Sequence, residues 1–197
     1  MKKQRILYIH GFNSSPLSMK STATEQYLID HHSNVQFHCP QLATSPNSAI
    51  KQLEQILAQY PEDHWQLMGS SLGGYFSSYL AEKYHLKAVL INPAIRPFEL
   101  LADYIGEQKN PYTEEVYQVT EAHILDLQNL YNKKISEKQY MVMVQTGDEV
   151  LDYQQAVDKY HHSQLIVQQG GDHSFINYQT MLPAIMNFFD LQPSNSN

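Results

Sequence analysis

The feature that most constrains the fold is an alternation of short apolar runs with longer segments of helical periodicity. Runs of strand length lie at 5–9, 35–38, 64–68, 86–91, 140–146 and 164–168, of which 35–38 is the weakest. Helical patterns lie at 18–31, 47–59, 72–84, 153–160 and 175–189. This repetition predicts the α/β class, with a mostly parallel, doubly wound sheet of about six strands and helices on both faces. A ligand site is expected at the carboxyl ends of the strands.

The length of 197 residues favours a single domain, which is predicted to span 1–191. The segment 94–138 is far longer than an ordinary connection between a strand and a helix, so we predict a helical lid insertion there. Within it, the pattern over 119–131 predicts a helix that Thr120 can cap. The polar end, 192–197, is predicted to be a disordered tail.

Charge and composition argue against several classes of partner. The formal net charge is −7 and no cluster of Lys and Arg forms a basic stripe, so nucleic acid is not expected as a partner. No stretch approaches the roughly 18 apolar residues of a membrane span, so no membrane association is expected. Cys39 is the single cysteine and cannot form an internal disulfide, which favours a cytoplasmic location.

The stretch GSSLG, residues 69–73, matches the spacing G-x-S-x-G. Glycine stands two residues before and two residues after Ser71, whereas Ser70 lacks that frame. A serine raised between a strand and a helix has a strained backbone, and glycine at the flanking positions relieves the crowding. A predicted strand precedes the motif and a predicted helix follows it. Ser71 is therefore the candidate nucleophile.

A serine nucleophile needs a base, and histidine usually fills that role. His173 follows the last predicted strand and precedes the last predicted helix, so it can reach the same edge of the sheet as Ser71. His10 also lies at a strand end, but there a structural imidazole bonded to nearby backbone is the favoured interpretation. The adjacent pairs at 31–32 and 161–162 are expected to be solvated, not to bind a metal ion.

The base in turn needs a carboxylate to orient it. Asp148 follows the penultimate strand directly, in a turn that begins at a glycine. Glu149, Asp152 and Asp172 are rivals by sequence proximity, although Asp152 is better placed to cap the next helix. With Asp148 in this role, the order along the chain is nucleophile, acid and then His173 as base, which is the order of α/β hydrolases.

Two backbone N–H groups are candidates for an oxyanion hole. Leu72 lies at the positive end of the helix after Ser71, where its N–H faces any charge that develops on a substrate oxygen. Phe12 lies in the loop HGFNSSP after the first strand, where Gly11 lets the backbone approach closely. The nucleotide-binding glycine motifs are missing from this loop.

Five motifs along nearly the whole chain resemble the YqiA-like esterases, a family of small bacterial α/β hydrolases. They are ILYIHGFNSSP, GSSLGGY, LINPAIRPFELL, QTGDEVLDY and GGDHSF. The combination with NPAIRP is much more specific than GSSLGG or GDHSF alone. The resemblance implies an α/β-hydrolase fold and a cytoplasmic carboxylic ester hydrolase with Ser71, Asp148 and His173 as its triad. It also implies that the protein uses no metal ion and no organic cofactor.

Together these features predict cleavage of a small-molecule ester or thioester through an acyl-enzyme. An acyl-CoA thioesterase and a non-catalytic binding module on the same fold are the alternatives. The sequence leaves open the natural substrate, the acyl-chain length and the oligomeric state. It also leaves open whether Arg96 binds a substrate anion or forms an ion pair at the rim, and whether Tyr104, Tyr112 and Tyr131 line an acyl pocket or pack the lid.

Overall fold

A parallel six-stranded sheet forms the centre of the computed structural model, which describes residues 2–194. Its strands are β1 (Gln4–Ile9), β2 (Val35–His38), β3 (His64–Ser70), β4 (Ala88–Ile91), β7 (Tyr140–Gln145) and β8 (Gln164–Gln168). Their order is β2-β1-β3-β4-β7-β8, and every neighbouring pair is parallel. The predicted α/β fold class is confirmed, and the six apolar runs correspond to these six strands.

Helices connect the strands and cover both faces of the sheet. They are α1 (Met19–His31), α2 (Pro46–Gln59), α3 (Leu72–Tyr84), α4 (Pro97–Leu100), α5 (Glu121–Asn129), α6 (Tyr153–Lys159) and α7 (Leu182–Phe188). The start of α2 follows a familiar pattern, because the Ser45 side chain accepts the Ser48 N–H and Pro46 occupies the first turn.

The last helix is shorter than the predicted span of 175–189. Phe175 and Asn177 have φ angles of 64° and 61°, in the left-handed region that an α-helix cannot contain. A 3₁₀ turn follows over Tyr178–Met181, and α7 begins only at Leu182. The apolar stripe of this segment is real, but its first part packs onto the sheet from a turn and not from a helix.

Each face of the sheet has its own apolar core. In β1, Ile6 and Tyr8 point to the core beneath α1 and α7, while Leu7 and Ile9 point to the core beneath α2 and α3. All four side chains are fully buried. This period of two is what a strand covered on both faces requires, and it explains why the run is apolar throughout.

The segment between β4 and β7 contains more than helices. After α4 it forms an antiparallel hairpin of β5 (Gly106–Lys109) and β6 (Val116–Val119), followed by α5. Thr120 caps α5, and its own N–H donates to the His123 side chain in a reciprocal box. Leu127 is fully buried in the same core as α3, so the insertion is anchored to the domain.

The end of the chain is in contact with α1 as far as the structure describes it. The Ser194 N–H donates to the His31 carbonyl oxygen at 2.8 Å, and His32 Nδ1 lies 3.0 Å from the Gln192 carbonyl oxygen. The expectation that both histidines of this pair are solvated is therefore wrong for His32, which this contact helps to bury. Of the tail predicted at 192–197, residues 195–197 lie outside the described residues. Within 2–194, no helix combines the length and the apolar composition that crossing a membrane requires.

Candidate active site

Ser71 occupies the sharp turn between Ser70, the last residue of β3, and Leu72, the first residue of α3. Its φ and ψ angles are 56° and −121°, a conformation that is unfavourable for any residue with a side chain. Neighbouring strand ends hold it there: the Ser71 N–H donates to the Ile91 carbonyl oxygen, and the Ser71 carbonyl oxygen accepts the Ala94 N–H, both at 3.1 Å. The strain is thus imposed by the fold around the turn.

The two glycines of the motif permit contacts that a larger residue would block. A Cβ atom at Gly69 would overlap the Gly73 carbonyl oxygen, and a Cβ atom at Gly73 would overlap the Ile9 carbonyl oxygen. The crowding expected from the sequence is therefore present, and it arises from β1 as well as from the turn itself.

The structure brings Ser71, His173 and Asp148 into one chain of hydrogen bonds. His173 Nε2 lies 3.2 Å from Ser71 Oγ. On the other side of the ring, His173 Nδ1 lies 2.8 Å from Oδ2 and 3.0 Å from Oδ1 of Asp148. The three residues come from the ends of three strands, β3, β7 and β8, as the sequence order predicts.

Asp148 is held in its ionised form. Burial by itself would raise the pKa of Asp148, but hydrogen bonds from the His173 side chain and from the N–H groups of Leu151 and Val150 lower it overall. An ionised carboxylate can only accept, so Nδ1 of His173 must carry its proton. Nε2 is then free to accept the hydroxyl proton of Ser71.

The three rival carboxylates have other partners. Glu149 accepts the backbone N–H of His173 at 3.0 Å. Asp152 accepts the Gln154 N–H and caps α6. Asp172 accepts the hydroxyl of the neighbouring Ser174. None of these three side chains approaches the imidazole as Asp148 does.

The two candidate oxyanion donors belong to segments that adjoin Ser71. Leu72 is the first residue of α3. Phe12 follows Gly11, where a Cβ atom, if present, would lie 3.3 Å from Ser71 Cβ. Within residues 2–194, neither N–H donates to a protein acceptor. Both groups are therefore available to a substrate oxygen beside Ser71, and their assignment to an oxyanion hole stays a prediction.

His10 is bonded to backbone on both sides of its ring. Its Nε2 accepts the Leu42 N–H at 3.1 Å, so Nδ1 must carry the proton and donates to the Gly11 carbonyl oxygen at 2.9 Å. Burial lowers the pKa of His10, and the bond to Gly11 offsets part of that shift. The neutral ring thus fixes the loop that carries Phe12.

The hairpin of the insertion contacts the same loop from the other side. The Tyr117 hydroxyl donates to Asn13 Oδ1 at 2.6 Å, and the Asn110 side chain donates to the Ser14 carbonyl oxygen at 3.0 Å. The Phe12 ring packs edge-on against Tyr117. Burial raises the pKa of Tyr117 to about 12, which keeps its hydroxyl protonated as a donor at neutral pH.

Two cavities of different character adjoin Ser71. One, of about 90 Å³, is lined mostly by apolar side chains of the insertion and of the loop after β7. Its walls are Phe12, Leu72, Ala94, Pro97, Leu100, Leu101, Tyr104, Leu127, Val150 and Leu151. The other, of about 370 Å³, has a mixed lining with far more polar groups than the first, and it opens between the loop after β1 and the His173 loop. We call it the polar cavity.

The residues whose roles the sequence left open are placed as follows. Tyr104 lines the apolar cavity, Tyr112 lines the polar one, and Tyr131 packs edge-on against Phe98. Arg96 is exposed and pairs with Glu99 at 2.7 Å, so the structure favours the rim ion pair. Within 2–194, no group of three or more His, Cys, Asp or Glu side chains could hold a metal ion.

Two buried amides that the sequence analysis missed hold the His173 loop. Asn92 Nδ2 donates to the carbonyl oxygens of Asp172 and His173, at 3.0 and 3.2 Å, while its Oδ1 accepts the Gln145 N–H. Gln145 Oε1 accepts the N–H groups of Asp172 and Ile176. The available signal was an amide at the end of an otherwise apolar strand, where a buried polar group needs partners.

The parallel sheet, with Ser71 raised between β3 and α3, defines the α/β-hydrolase fold. Solved structures agree: α/β hydrolase domain-containing protein 10 from mouse aligns with a TM-score of 0.76 at 17% identity, covering 96% of this chain and 92% of its own. Est1E from Butyrivibrio proteoclasticus aligns with a TM-score of 0.72 at 13% identity, covering 95% and 87%. At such identities the likeness concerns the fold.

The chain belongs to the uncharacterised protein family UPF0227, whose family model matches residues 5–190. It is 22% identical over 185 residues to the UPF0227 protein YcfP of Salmonella arizonae, an alignment that covers 93% of this chain and 97% of that protein. This finding confirms the predicted membership in the YqiA-like family.

Proposed function

We propose that this protein is a serine hydrolase that cleaves carboxylic esters of small acyl substrates through an acyl-enzyme intermediate. The observation that carries the proposal is the continuous chain of hydrogen bonds from Ser71 through His173 to Asp148. A hydroxyl bonded to an imidazole that is itself bonded to an ionised carboxylate is an activated nucleophile.

In the first half of the reaction, Ser71 Oγ attacks the ester carbonyl while His173 Nε2 takes the hydroxyl proton. The resulting oxyanion accepts hydrogen bonds from the N–H groups of Phe12 and Leu72, which have no protein acceptor within 2–194. Collapse of this intermediate breaks the bond to the leaving oxygen, and His173 returns its proton to that oxygen. The products are a free alcohol and an acyl group on Ser71.

In the second half, water replaces the alcohol. His173 takes a proton from the water as its oxygen attacks the acyl carbon, the same two N–H groups stabilise the oxyanion, and Ser71 leaves with the proton. Asp148 keeps the ring oriented and stabilises its positive charge throughout. Each donor of an oxyanion hole contributes about 3 kcal/mol of transition-state stabilisation in comparable enzymes, so the two amides are essential to the rate.

An activity-based probe tests the proposal directly. We expect a fluorophosphonate to label the folded protein at Ser71, and the labelling to disappear after heat denaturation and in Ser71→Ala. Ser70→Ala is the matched control and should still be labelled, because Ser70 does not contact the imidazole. Failure of the folded protein to react would favour the alternative of a non-catalytic binding module.

A panel that combines one acyl group with alcohol and thiol leaving groups separates an esterase from an acyl-CoA thioesterase. We expect the oxygen esters to be cleaved at the higher kcat/KM. A cytoplasmic reaction forms part of the proposal, since the single cysteine, Cys39, suits a reducing compartment.

A further inference from the structure

The polar cavity beside Ser71 contains a lysine that the proposed mechanism does not use. Lys20 lies in the first turn of α1, and it lines the cavity together with His173 and Ser174. Its Nζ donates to the Ser174 carbonyl oxygen at 2.9 Å. An ammonium group has three donors, so this single bond leaves donors available to a group inside the cavity.

Lys20 is a half-buried cation without an ion-pair partner. Among residues 2–194, no carboxylate lies within ion-pair distance of its Nζ, although other lysines, such as Lys87, do form such pairs. Burial lowers the pKa of Lys20, and the charges of Asp172 and Asp148 offset only part of this effect. A cation withdrawn from water in this way gains stability when an anion binds next to it.

A second polar group of the same cavity also lacks a partner. Tyr8 lines the cavity, its side chain is fully buried, and its hydroxyl makes no hydrogen bond within residues 2–194. The Ser70 side chain lies beside this hydroxyl and offsets part of the rise that burial causes in the pKa of Tyr8. The hydroxyl is closed off from the open space of the cavity, so it makes this wall polar but is not itself a contact for a ligand.

The proposed reaction determines which part of the substrate faces this cavity. His173 must return its proton to the leaving oxygen, so the alcohol portion has to lie on the His173 side of Ser71. His173 lines the polar cavity, whereas the apolar cavity is bounded by the insertion and by Val150 and Leu151. The acyl chain therefore fits the apolar cavity, and the alcohol fits the polar one.

We propose that the polar cavity is a subsite for an anionic group, a carboxylate or a phosphate, carried by the alcohol portion of the ester, and that Lys20 recognises it. This inference rests on the proposed esterase function. The wall also contains Glu149, which is exposed at the rim and accepts the His173 N–H. The anion therefore lies on the Lys20 side of the cavity, away from that carboxylate.

Two matched pairs of butyrate esters test the subsite. The first pair is butyrylglycolate and ethyl butyrate, and the second is butyryl glycol phosphate and glycol monobutyrate. We expect the wild-type protein to prefer each anionic ester over its neutral counterpart by about tenfold in kcat/KM, as a charge-assisted hydrogen bond would give. Preference for only one of the two anions would also support the subsite and would identify its ligand as carboxylate or phosphate.

Substitution of the lysine assigns the preference to Lys20. In Lys20→Met the ratio of anionic to neutral kcat/KM should fall close to one, and Lys20→Arg should restore most of it. Lys51→Met removes an exposed charge on α2 and should keep the wild-type ratio. A wild-type protein that cleaves these esters without preference for either anion, or a ratio that Lys20→Met leaves unchanged, would overturn the inference.

A binding measurement separates failure of the subsite from failure of the proposed function. Calorimetric titration with the same esters compares Ser71→Ala with the double variant Ser71→Ala/Lys20→Met. If the wild-type protein cleaves no ester but the anionic esters bind Ser71→Ala more tightly than the double variant, the subsite stands and the esterase function fails. Equal binding to both variants would overturn the subsite whatever the activity.

Discussion

Asn92 fixes the backbone of His173. It directly follows β4, and its side-chain amide donates to the His173 carbonyl oxygen at 3.2 Å. The same side chain bonds to Asp172 and Gln145, so one amide connects the loop of the proposed base to two strand ends. The position of the imidazole relative to Ser71 therefore depends on a residue that lines neither of the two cavities beside Ser71.

Removal of this positioning residue should impair turnover more than substrate binding. We expect Asn92→Ala to lower kcat by about 10- to 100-fold with a smaller change in KM, because small displacements of a reacting group have effects of that size. Asn132→Ala is the matched control, since Asn132 also donates to one backbone carbonyl oxygen, that of Ser78. Equal kcat values in the two variants would contradict the assignment.

Asp148 and Asp172 offer a direct comparison of two carboxylates that flank the proposed base. We expect Asp148→Asn to lower kcat by about 10³- to 10⁴-fold, because the amide favours the wrong tautomer of His173. Asp172→Asn removes the charge but keeps an oxygen that can accept the Ser174 hydroxyl, and since this side chain does not bond to the imidazole the change should cost much less. Steady-state kinetics on one ester would decide, and a larger loss in Asp172→Asn would reverse the assignment of the acid.

The hydrogen bond from Tyr117 to Asn13 should influence the rate through the oxyanion loop. Tyr117→Phe retains the ring that packs on Phe12 and removes one hydrogen bond, whose net contribution is about 0.5 to 1.5 kcal/mol. We expect kcat to fall by about 2- to 10-fold on this basis. Tyr79→Phe, which also removes one hydroxyl, is the control, and an unchanged kcat in Tyr117→Phe would show that the loop holds its position without the hairpin.

His10 should make the free energy of unfolding depend on pH. Burial places the pKa of His10 below its ordinary value of 6.5 in the folded protein. Above that value the ring is neutral in both states. As the pH falls below it, the unfolded chain takes up a proton that the folded protein resists, so stability decreases toward the lowered pKa.

Urea unfolding at pH about 7.5 and about 5.5 measures this contribution. We expect the loss of stability between the two pH values to be about 1 kcal/mol smaller in His10→Asn than in the wild-type protein. His64→Asn substitutes an exposed histidine and should retain the wild-type difference. The same pH dependence in His10→Asn as in the wild-type protein would refute the role of this ring.

The sheet could be predicted because each strand is marked by a short run of apolar residues within its own sequence. The four central strands, β1, β3, β4 and β7, are buried on both faces, and apolar runs of that kind stand out from the amphipathic helices between them. The edge strands β2 and β8 are partly exposed. The hairpin of β5 and β6 lacks this signal. Its strands, GEQK and VYQV, are only four residues long and mostly exposed or half-buried, and they pair with each other within the insertion, outside the main sheet.

The proposed triad could be predicted for a related reason. Ser71, Asp148 and His173 each lie within five residues after the end of a predicted strand, and parallel strands bring their carboxyl ends to one edge. The supporting groups depend on distances that no spacing along the chain reveals. Lys20 lies in the first turn of α1, and only the packing of α1 against the His173 loop brings it to the cavity.

The contacts between the hairpin and residues 12–14 have a consequence for how this protein can diversify. An insertion that makes no contact with catalytic groups can be replaced without altering the reaction at the site. Here the hairpin is bonded to the loop of the proposed oxyanion donor, because the Tyr117 hydroxyl donates to Asn13, the residue after Phe12. Sequence drift in the insertion would therefore change catalytic speed together with substrate choice, and engineering either property alone would require keeping that bond.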